Sequence, residues 1–231
     1  MNKKIIVIVV VVLVIGLIIA SIFVKPKETV YKEDLLGIDY MIEGNEASLS
    51  YDTENPVVAM YIKKYGSIVM ELYPEVAPNT VNNFISLVKK GFYDGNSFHR
   101  LMPGFVLQGG DPSGSGSGGP GYFIKGEFSS NGVLNTLSHQ KWVVSMARST
   151  PPDTAGSQFF ICIDDASASL DGSYAAFGKI IDGFDAIKAI EKNEVIADEE
   201  SGKLRTNLII GKALIDLKGK EYPEPEIIPE Q

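Results

Sequence analysis

The chain has 231 residues and a formal net charge of -8, and its basic residues form no cluster of the kind that binds nucleic-acid phosphates. It contains one cysteine, Cys162, and two histidines, His99 and His139, which are too few for a disulfide framework or a Cys/His zinc site. We therefore predict no nucleic-acid partner, no metal site and no cofactor. The apolar content of 45% is ordinary for a chain that buries a core.

The first 24 residues predict a transmembrane anchor. Lys3 and Lys4 precede an uninterrupted apolar run over residues 5–24, which is long enough to cross a lipid bilayer as a helix. A secretory signal has a shorter apolar region of about 7 to 15 residues, although cleavage near Ala20 is an alternative. Because the positive charges slightly favour a cytoplasmic N-terminus, we expect a single-pass protein of the cell membrane with an extracytoplasmic domain.

Residues 25–54 are polar and mostly acidic, and they predict an extracytoplasmic linker. Residues 55–217 then carry the patterns of a folded domain. It opens with two alternating runs, 57–61 and 67–73, and the turn between them contains Gly66, as is typical of a β-hairpin. We expect the main sheet to begin at this hairpin.

Helical and strand-like patterns continue through the domain. A helix is predicted from Ala77 to about residue 90, with Phe84 on its apolar face. Further along, the patterns predict two strands, a short amphipathic helix and a closing strand, at 142–146, 158–163, 185–191 and 208–217. The last residues, 218–231, are rich in Glu and Pro and predict a disordered tail.

A strand pair broken at Pro103 and Gly104 is the centre of the functional hypothesis. Strand alternation places Arg100 on the same face as Phe98 and Met102, so a guanidinium stands beside aromatic and aliphatic surface. Its rigid and always charged donors suit the binding of a carbonyl or a polarised amide in a half-dry groove. From spacing alone, an exposed arginine on an edge strand is the alternative interpretation.

The glycine-rich segment 114–119 formally fits the G-x-G-x-x-G pattern of phosphate-binding loops. However, Pro120 and Gly121 follow where such a loop needs a helix, and no Lys-Ser/Thr pair completes the pattern. We therefore predict a flexible loop at the rim of a groove rather than a nucleotide site.

Three ordered motifs resemble the signature of the cyclophilins, a family of peptidyl-prolyl cis/trans isomerases. They are FHRLMPGFVLQGGD at 98–111, SMAR followed by GSQFFI within 145–161, and LDG followed by FG within 170–178. The resemblance covers residues 55–217 and implies a mainly β fold, a closed eight-stranded antiparallel barrel with two capping helices. It also implies an enzyme that accelerates rotation about X-Pro bonds in Pro-containing polypeptides, here in proteins that fold outside the cytoplasmic membrane.

The resemblance also assigns the site residues. Arg100 takes the position of the family's catalytic arginine, which donates to the prolyl nitrogen. The positions that hold the proline ring are Phe105, Met146, Phe160 and Leu170. The positions that line the groove for the peptide backbone are Gln108, Ala147, Arg148 and Gln158. His99 matches another groove position, with a structural role equally open, and His139 is interpreted as structural.

Three positions depart from the pattern of many eukaryotic members. Ser169 stands where those members have a Trp that contacts cyclosporin, and Tyr174, also assigned to the substrate-binding groove, stands where they have a His. We therefore expect isomerase activity with weak or no cyclosporin binding. Arg148 replaces a common Asn, and its added charge is expected to favour acidic residues near the proline.

The sequence shows no nucleophile with a base and an orienting group, and no carboxylate pair stands out. Their absence fits a reaction that breaks no covalent bond. The alternative to an isomerase is a non-catalytic chaperone or scaffold of the same fold that holds Pro-containing segments. A structural or adhesion protein is disfavoured, because it would not need an arginine beside a hydrophobic pocket.

Overall fold

The computed structural model describes residues 42–230, which contain thirteen strands, three α-helices and a short 3-10 helix. The strands in chain order are β1 (Ile42–Glu43), β2 (Glu46–Ala47), β3 (Val57–Ile62), β4 (Gly66–Leu72), β5 (Ser97–Met102), β6 (Val106–Gly109), β7 (Tyr122–Phe123), β8 (Val143–Met146), β9 (Phe159–Cys162), β10 (Ala176–Asp182), β11 (Ile196–Asp198), β12 (Lys203–Asp216) and β13 (Ile228–Pro229). The helices are α1 (Pro78–Lys89), α2 (Ser167–Leu170) and α3 (Phe184–Asn193), and the 3-10 helix is Ser129–Asn131.

Eight of these strands close into an antiparallel barrel, which confirms the predicted mainly β fold. Their order around the barrel is β12, β3, β4, β10, β8, β9, β6 and β5, and β5 pairs again with β12. Side chains alternate between the two faces of each strand. In β3, for example, Val58 and Met60 belong to the main core, whereas Val57 and Ala59 belong to a separate apolar cluster.

Helices α1 and α3 bury their apolar faces in the main core, as expected of two capping helices. Helix α1 begins at Pro78, whose fixed φ angle suits the first helical turn. Phe84, on the buried face of α1, contacts three aromatic rings. The distances between ring centroids are 5.0 Å to Tyr93, 5.0 Å to Phe177 and 5.3 Å to Phe159. Helix and barrel therefore share one aromatic centre.

The N-terminus of α1 is capped by Glu127, a residue distant in the sequence. The N-cap residue itself, Ala77, has no side-chain acceptor. The buried Glu127 carboxylate accepts hydrogen bonds from the backbone N–H groups of Asn79 and Thr80, at 3.1 and 2.7 Å, and from the Thr80 hydroxyl at 2.6 Å. A negative charge at this end also interacts favourably with the helix dipole.

We expect the Glu127→Ala variant to lose about 2 to 4 kcal/mol of unfolding free energy, because three donors lose a charged acceptor. Urea denaturation measures this loss directly. Glu127→Gln keeps one acceptor oxygen and should lose less, while replacement of the exposed Glu199 by Ala serves as the control. Equal stability of Glu127→Ala and wild type would show that water replaces the cap.

Residues 42–54 pack on the barrel, which corrects this part of the predicted linker, whereas residues 25–41 of that prediction lie outside the described residues. Strand β2 pairs with β1 and, in parallel, with β12. Leu49 is 2% exposed and shares an apolar cluster with Val57 and Leu214. Isolated side chains that dock on a barrel strand leave no periodic pattern in the sequence, so the start of the domain was placed too late.

The tail after β12 is also part of the fold, which corrects the predicted disorder of 218–231 for residues up to 230. Strand β13 pairs with β7 in a two-stranded sheet. The side chain of Asn79 accepts a hydrogen bond from the backbone N–H of Glu226 and donates one to its carbonyl, at 2.8 and 2.9 Å. The Glu224 carboxylate accepts from the Ser86 hydroxyl on α1 and from Lys90, the residue directly after α1. Composition alone could not show these long-range partners.

Other predicted elements agree with the structure except at their ends. The closing strand β12 starts at Lys203 rather than at 208, and the sequence analysis did not predict α2 or β10 as separate elements. Between residues 42 and 230, no helix combines the length and the apolar character needed to cross a membrane. The predicted anchor at 5–24 lies outside the described residues.

Candidate active site

A β-bulge in β5 turns Arg100 towards the face that carries the candidate site. The pairing of β5 with β6 shifts register between Phe98 and Arg100, and Phe98 is fully buried in the main core. The predicted common face of Phe98, Arg100 and Met102 is therefore wrong for Phe98, because a bulge resets the alternation of side chains. Met102 does pack beside the site, and Gly104, with a φ angle of 67°, allows the turn into β6.

Three neighbouring strands align the polar and aromatic residues of the site. Gln108 on β6 lies opposite Arg100 on β5 and opposite Phe160 on β9. Directly opposed residues in antiparallel strands point to the same face of the sheet. Arg100, Gln108 and Phe160 therefore form a row across the outside of the barrel.

A chain of side-chain hydrogen bonds links this row to the glycine-rich loop. Arg100 Nη1 donates to Gln108 Oε1 at 3.1 Å, and Gln108 Nε2 donates to Gln158 Oε1 at 3.0 Å. Gln158 Nε2 in turn donates to the carbonyl oxygens of Gly116 and Gly118, both at 2.9 Å. The loop predicted to rim a groove is thus tied to the site through two glutamines.

An apolar cluster lies beside the row, and we call it the outer cluster. Its buried members are Val106, Phe160, Cys162, Ala166 and Leu170. Its partly buried members are Met102, Phe105, Ala147 and Tyr174. The rings of Phe160 and Tyr174 meet edge to face with their centroids 5.7 Å apart. Burial beside this surface lowers the pKa of Arg100 from its ordinary value, an effect that Tyr174 partly opposes.

The structure places most predicted site residues together but moves Met146 out of the group. Met146 is 1% exposed and belongs to the main core, because it lies opposite the core residue Phe159, whereas Ser145 lies opposite Phe160. Val106 instead contributes to the outer cluster. In the sequence, Val106 directly precedes Leu107. Because side chains alternate along a strand, Val106 lies on the face of β6 opposite to that core residue.

His99 is buried next to Arg100 on β5. It is 5% exposed, and neither ring nitrogen has a hydrogen-bond partner among the described residues. Burial lowers its pKa below the ordinary value of 6.5, and Arg100 acts in the same direction, whereas Asp111 opposes them. Burial thus favours the neutral imidazole, and the predicted groove-lining role of His99 stays a prediction.

His139 is buried and packs against Phe160 of the outer cluster. Its Nδ1 lies 2.7 Å from Asp171 Oδ1, and its Nε2 lies 2.9 Å from Ser145 Oγ. The imidazole stacks on Phe160 with a centroid distance of 6.1 Å and an angle of 22° between the ring planes. Burial lowers its pKa, although Asp171 opposes the shift. These contacts agree with the structural role given to His139.

We expect the free energy of unfolding to fall as the pH is lowered from about 7.5 to about 5.5. Both histidines have folded-state pKa values below 6.5, so the unfolded chain takes up protons first. The stability gained by keeping them neutral is present above about pH 6.5 and is lost as the pH falls through the folded-state values. Urea unfolding at several pH values measures the slope. His99→Phe should flatten it, and an unchanged slope would exclude His99 as a contributor.

Arg148 is held between two rings at the edge of the outer cluster. Its guanidinium carbon lies 5.0 Å from the ring centroid of Phe128 and 4.7 Å from that of Tyr174. Its N–H groups donate to the backbone carbonyls of Ser149, Thr150 and Ser173 at 2.8 to 3.0 Å. Because no carboxylate pairs with it in the described part of the chain, its charge is available to a bound peptide. The preference for acidic residues stays a prediction.

A cavity of about 380 Å³ adjoins the row of site residues. Its walls come from four parts of the chain, namely Gln108, residues 116–123, the segment around Arg148 and Gln158, and Glu230. The predicted groove therefore continues past the glutamines towards the glycine-rich loop. The exposed peptide groups of this loop offer backbone donors and acceptors rather than charge.

The comparison with known proteins agrees with this geometry. The family profile described as "Cyclophilin type peptidyl-prolyl cis-trans isomerase/CLD" matches residues 57–213. The chain belongs to the cyclophilin family. It is accordingly a peptidyl-prolyl cis/trans isomerase, as the resemblance of its motifs predicted.

Relatives of this cyclophilin include bacterial isomerases. "Peptidyl-prolyl cis-trans isomerase B" of Bacillus subtilis is 46% identical over 131 residues, which span 57% of this chain and 87% of the relative. "Peptidyl-prolyl cis-trans isomerase" of Helicobacter pylori is 44% identical over 133 residues, 57% of this chain and 78% of the relative.

A solved cyclophilin of Cryptosporidium parvum is similar in fold. Its TM-score is 0.59 and its sequence identity 33%, and the match covers 69% of this chain and 98% of the other. That crystal structure was determined in the presence of the dipeptide Ala-Pro. The similarity therefore includes nearly the whole of the smaller protein.

Proposed function

We propose that the outer face of β5, β6 and β9 binds an X-Pro segment and that Arg100 donates to its prolyl nitrogen. The observation that carries this proposal is the hydrogen bonding of the Arg100 guanidinium group. Its Nε and Nη1 groups are engaged within the chain, whereas its Nη2 group has no hydrogen-bond partner among the described residues. A positioned cation with free donors thus stands beside the apolar outer cluster.

This arrangement suits the rotation of an amide bond. The barrier is about 18 to 20 kcal/mol because rotation destroys amide resonance and leaves a lone pair on nitrogen. A catalyst must bind this twisted state better than either planar form. A dry apolar pocket disfavours the charge-separated planar amide, and a donor aimed at the nitrogen stabilises the lone pair.

The remaining site residues hold the peptide in this proposal. Phe105, Phe160 and Leu170 surround the proline ring, with Ala147 and Tyr174 at the edge. Gln108 and Gln158, fixed by their mutual hydrogen bond, present amide groups to the peptide backbone. The adjoining cavity receives residues on one side of the proline. The solved relative crystallised with Ala-Pro supports a proline-containing ligand for the family.

A test protein whose slow refolding phase is limited by the isomerisation of one X-Pro bond can be used to measure the activity of this isomerase on a polypeptide. Catalytic amounts of the purified chain should accelerate the slow phase in proportion to enzyme concentration. A chaperone that only binds the unfolded chain would act at stoichiometric amounts and would slow this phase. The dependence of the rate on enzyme concentration therefore separates the two functions.

We further propose that residues 5–24 anchor the protein in the cell membrane, with the isomerase domain outside the cytoplasm. The uninterrupted apolar run and its flanking lysines support this proposal. A protease added to intact spheroplasts should degrade the domain and leave a cytoplasmic control protein intact. Protection of the domain until the membrane is lysed would reverse the topology. Release of the domain in the absence of protease would indicate cleavage instead.

We expect cyclosporin to inhibit this isomerase weakly or not at all. Ser169 is exposed at the end of α2, directly before Leu170 of the outer cluster, so no aromatic edge closes this side of the pocket. The Ser169→Trp variant should bind cyclosporin more tightly than wild type, because it adds an apolar ring at that edge. Inhibition curves for the two proteins make the comparison. Nanomolar inhibition of the wild type would contradict this expectation.

A further inference from the structure

The turn between β11 and β12 is built around Asp198 and Gly202. The backbone N–H of Gly202 donates to the carbonyl of Asp198 at 2.8 Å. The Asp198 carboxylate accepts from the backbone N–H of Glu200 at 3.1 Å and from the Ser201 hydroxyl at 2.7 Å. Because these bonds fix both backbone and side chain, residues 198–202 form a defined turn rather than a loose loop.

This turn packs closely against β5, the strand that contains Arg100. The backbone N–H of Leu101 donates to the carbonyl of Gly202 at 2.8 Å. Gly202 has a φ angle of +72°, and a Cβ atom there would lie 2.4 Å from Met102 Sδ and 2.7 Å from the Leu101 carbonyl oxygen. Only glycine therefore allows both the backbone conformation and the close approach.

The close approach brings the carbonyl of Ser201 to Arg100. Arg100 Nε donates to this oxygen at 2.7 Å, while its Nη1 donates to Gln108 at 3.1 Å. A long arginine side chain has many rotamers, and a hydrogen bond at each of two nitrogens restricts the guanidinium plane to one orientation. The Nη2 group is the part of the fork that stays available to a ligand.

We propose that the turn 198–202 positions Arg100 for catalysis, with the Ser201 carbonyl as the positioning group and Gly202 as the residue that brings it into place. This inference rests on the proposed role of Arg100 at the prolyl nitrogen. Ser201 does not touch the substrate in this account. Its carbonyl acts only by holding the guanidinium, so its effect must disappear when Arg100 is absent.

A double-mutant cycle tests the proposal in the full-length protein. Gly202→Ala should lower kcat by about tenfold, the scale of one hydrogen bond to a charged group, and leave KM nearly unchanged. In the Arg100→Ala background, Gly202→Ala should have no further effect on kcat. The matched control is Gly44→Ala, which imposes a similar strain at φ +66° where an added Cβ atom meets nothing within 4 Å.

Each outcome of the cycle has one meaning. A folded Gly202→Ala protein with wild-type kcat, or a tenfold loss that persists without Arg100, would overturn the positioning role. If Arg100→Ala alone has wild-type kcat, the proposed function fails rather than the positioning role. The Nε–H resonance of Arg100 gives a second readout, since it should be protected from solvent exchange in wild type and lose that protection in Gly202→Ala.

A milder variant keeps the proposal testable if Gly202→Ala does not fold. Asp198→Ala removes two hydrogen bonds inside the turn but no contact with β5. It should lower kcat by less than Gly202→Ala, again only when Arg100 is present, and Asp198→Asn should recover part of the loss by keeping an acceptor oxygen. The proposal would be contradicted if Asp198→Ala had the same kcat as wild type although its Arg100 Nε–H had lost protection from solvent exchange.

Discussion

The Arg100→Ala variant is expected to lose about 100- to 1000-fold in kcat/KM for X-Pro isomerisation, the usual effect of removing one donor that acts on the transition state. Most of the loss should lie in kcat, because the donor interacts with the lone pair that appears only in the twisted amide. Steady-state kinetics with a proline-containing peptide measure both constants. The free energy of unfolding should change little, since Arg100 lies at the surface of the outer cluster.

Two further variants locate the cause of that loss. Arg100→Lys keeps the positive charge but not the forked donors, and we expect it to stay well below wild type. Arg205→Ala removes an exposed arginine from β12 and should leave activity unchanged. If Arg100→Lys were fully active, charge alone would be sufficient. If Arg100→Ala were fully active, the electrostatic part of the mechanism would be wrong.

The Phe160→Ala variant should lose both stability and activity. Phe160 is 4% exposed and contacts the rings of His139 and Tyr174, so its truncation leaves a cavity that costs about 3 to 5 kcal/mol of unfolding free energy. The loss of the pocket wall should also lower kcat/KM by about tenfold or more, because the proline ring loses apolar contact. Activity must be measured where the variant is still folded.

A neighbouring residue separates the two effects of Phe160. Phe159 lies on the opposite face of β9, in the main core. Phe159→Leu and Phe160→Leu should both destabilise the protein, but only Phe160→Leu should lower kcat/KM per folded molecule. Equal specific activities of the two variants would show that Phe160 is a structural residue alone.

The resemblance of the motifs predicted the barrel, and local patterns predicted several of its strands. Two-residue periodicity marked β3 and β4, and a nearly continuous apolar run marked β9. The motifs assigned Arg100, Gln108 and Phe160 to one site, and the strand register aligns these three residues. Periodicity failed at the bulge in β5, where one extra residue places Phe98 and Arg100 on opposite faces of the strand instead of the same face. A bulge depends on the pairing partner, which the strand's own sequence does not contain.

Elements stabilised by distant partners could not be predicted from local patterns. The tail is ordered through Asn79 on α1 and Lys90 directly after it, both far from the tail in the sequence. The turn at 198–202 contains Asp, Ser and Gly, which indicate a turn, but only the pairing of β12 with β5 brings its carbonyl to Arg100. Met146 was assigned to the site by its motif, and its burial in the main core became visible only in the barrel.

The most direct test of the central claim is NMR exchange spectroscopy on a short X-Pro peptide in the presence of substoichiometric protein. We predict that cis and trans signals exchange much faster with wild type than with Arg100→Ala, while both proteins bind the peptide through residues of the outer cluster. Binding of the peptide to wild type without faster exchange would contradict the mechanism. It would assign the protein instead to the non-catalytic binding modules of the same fold.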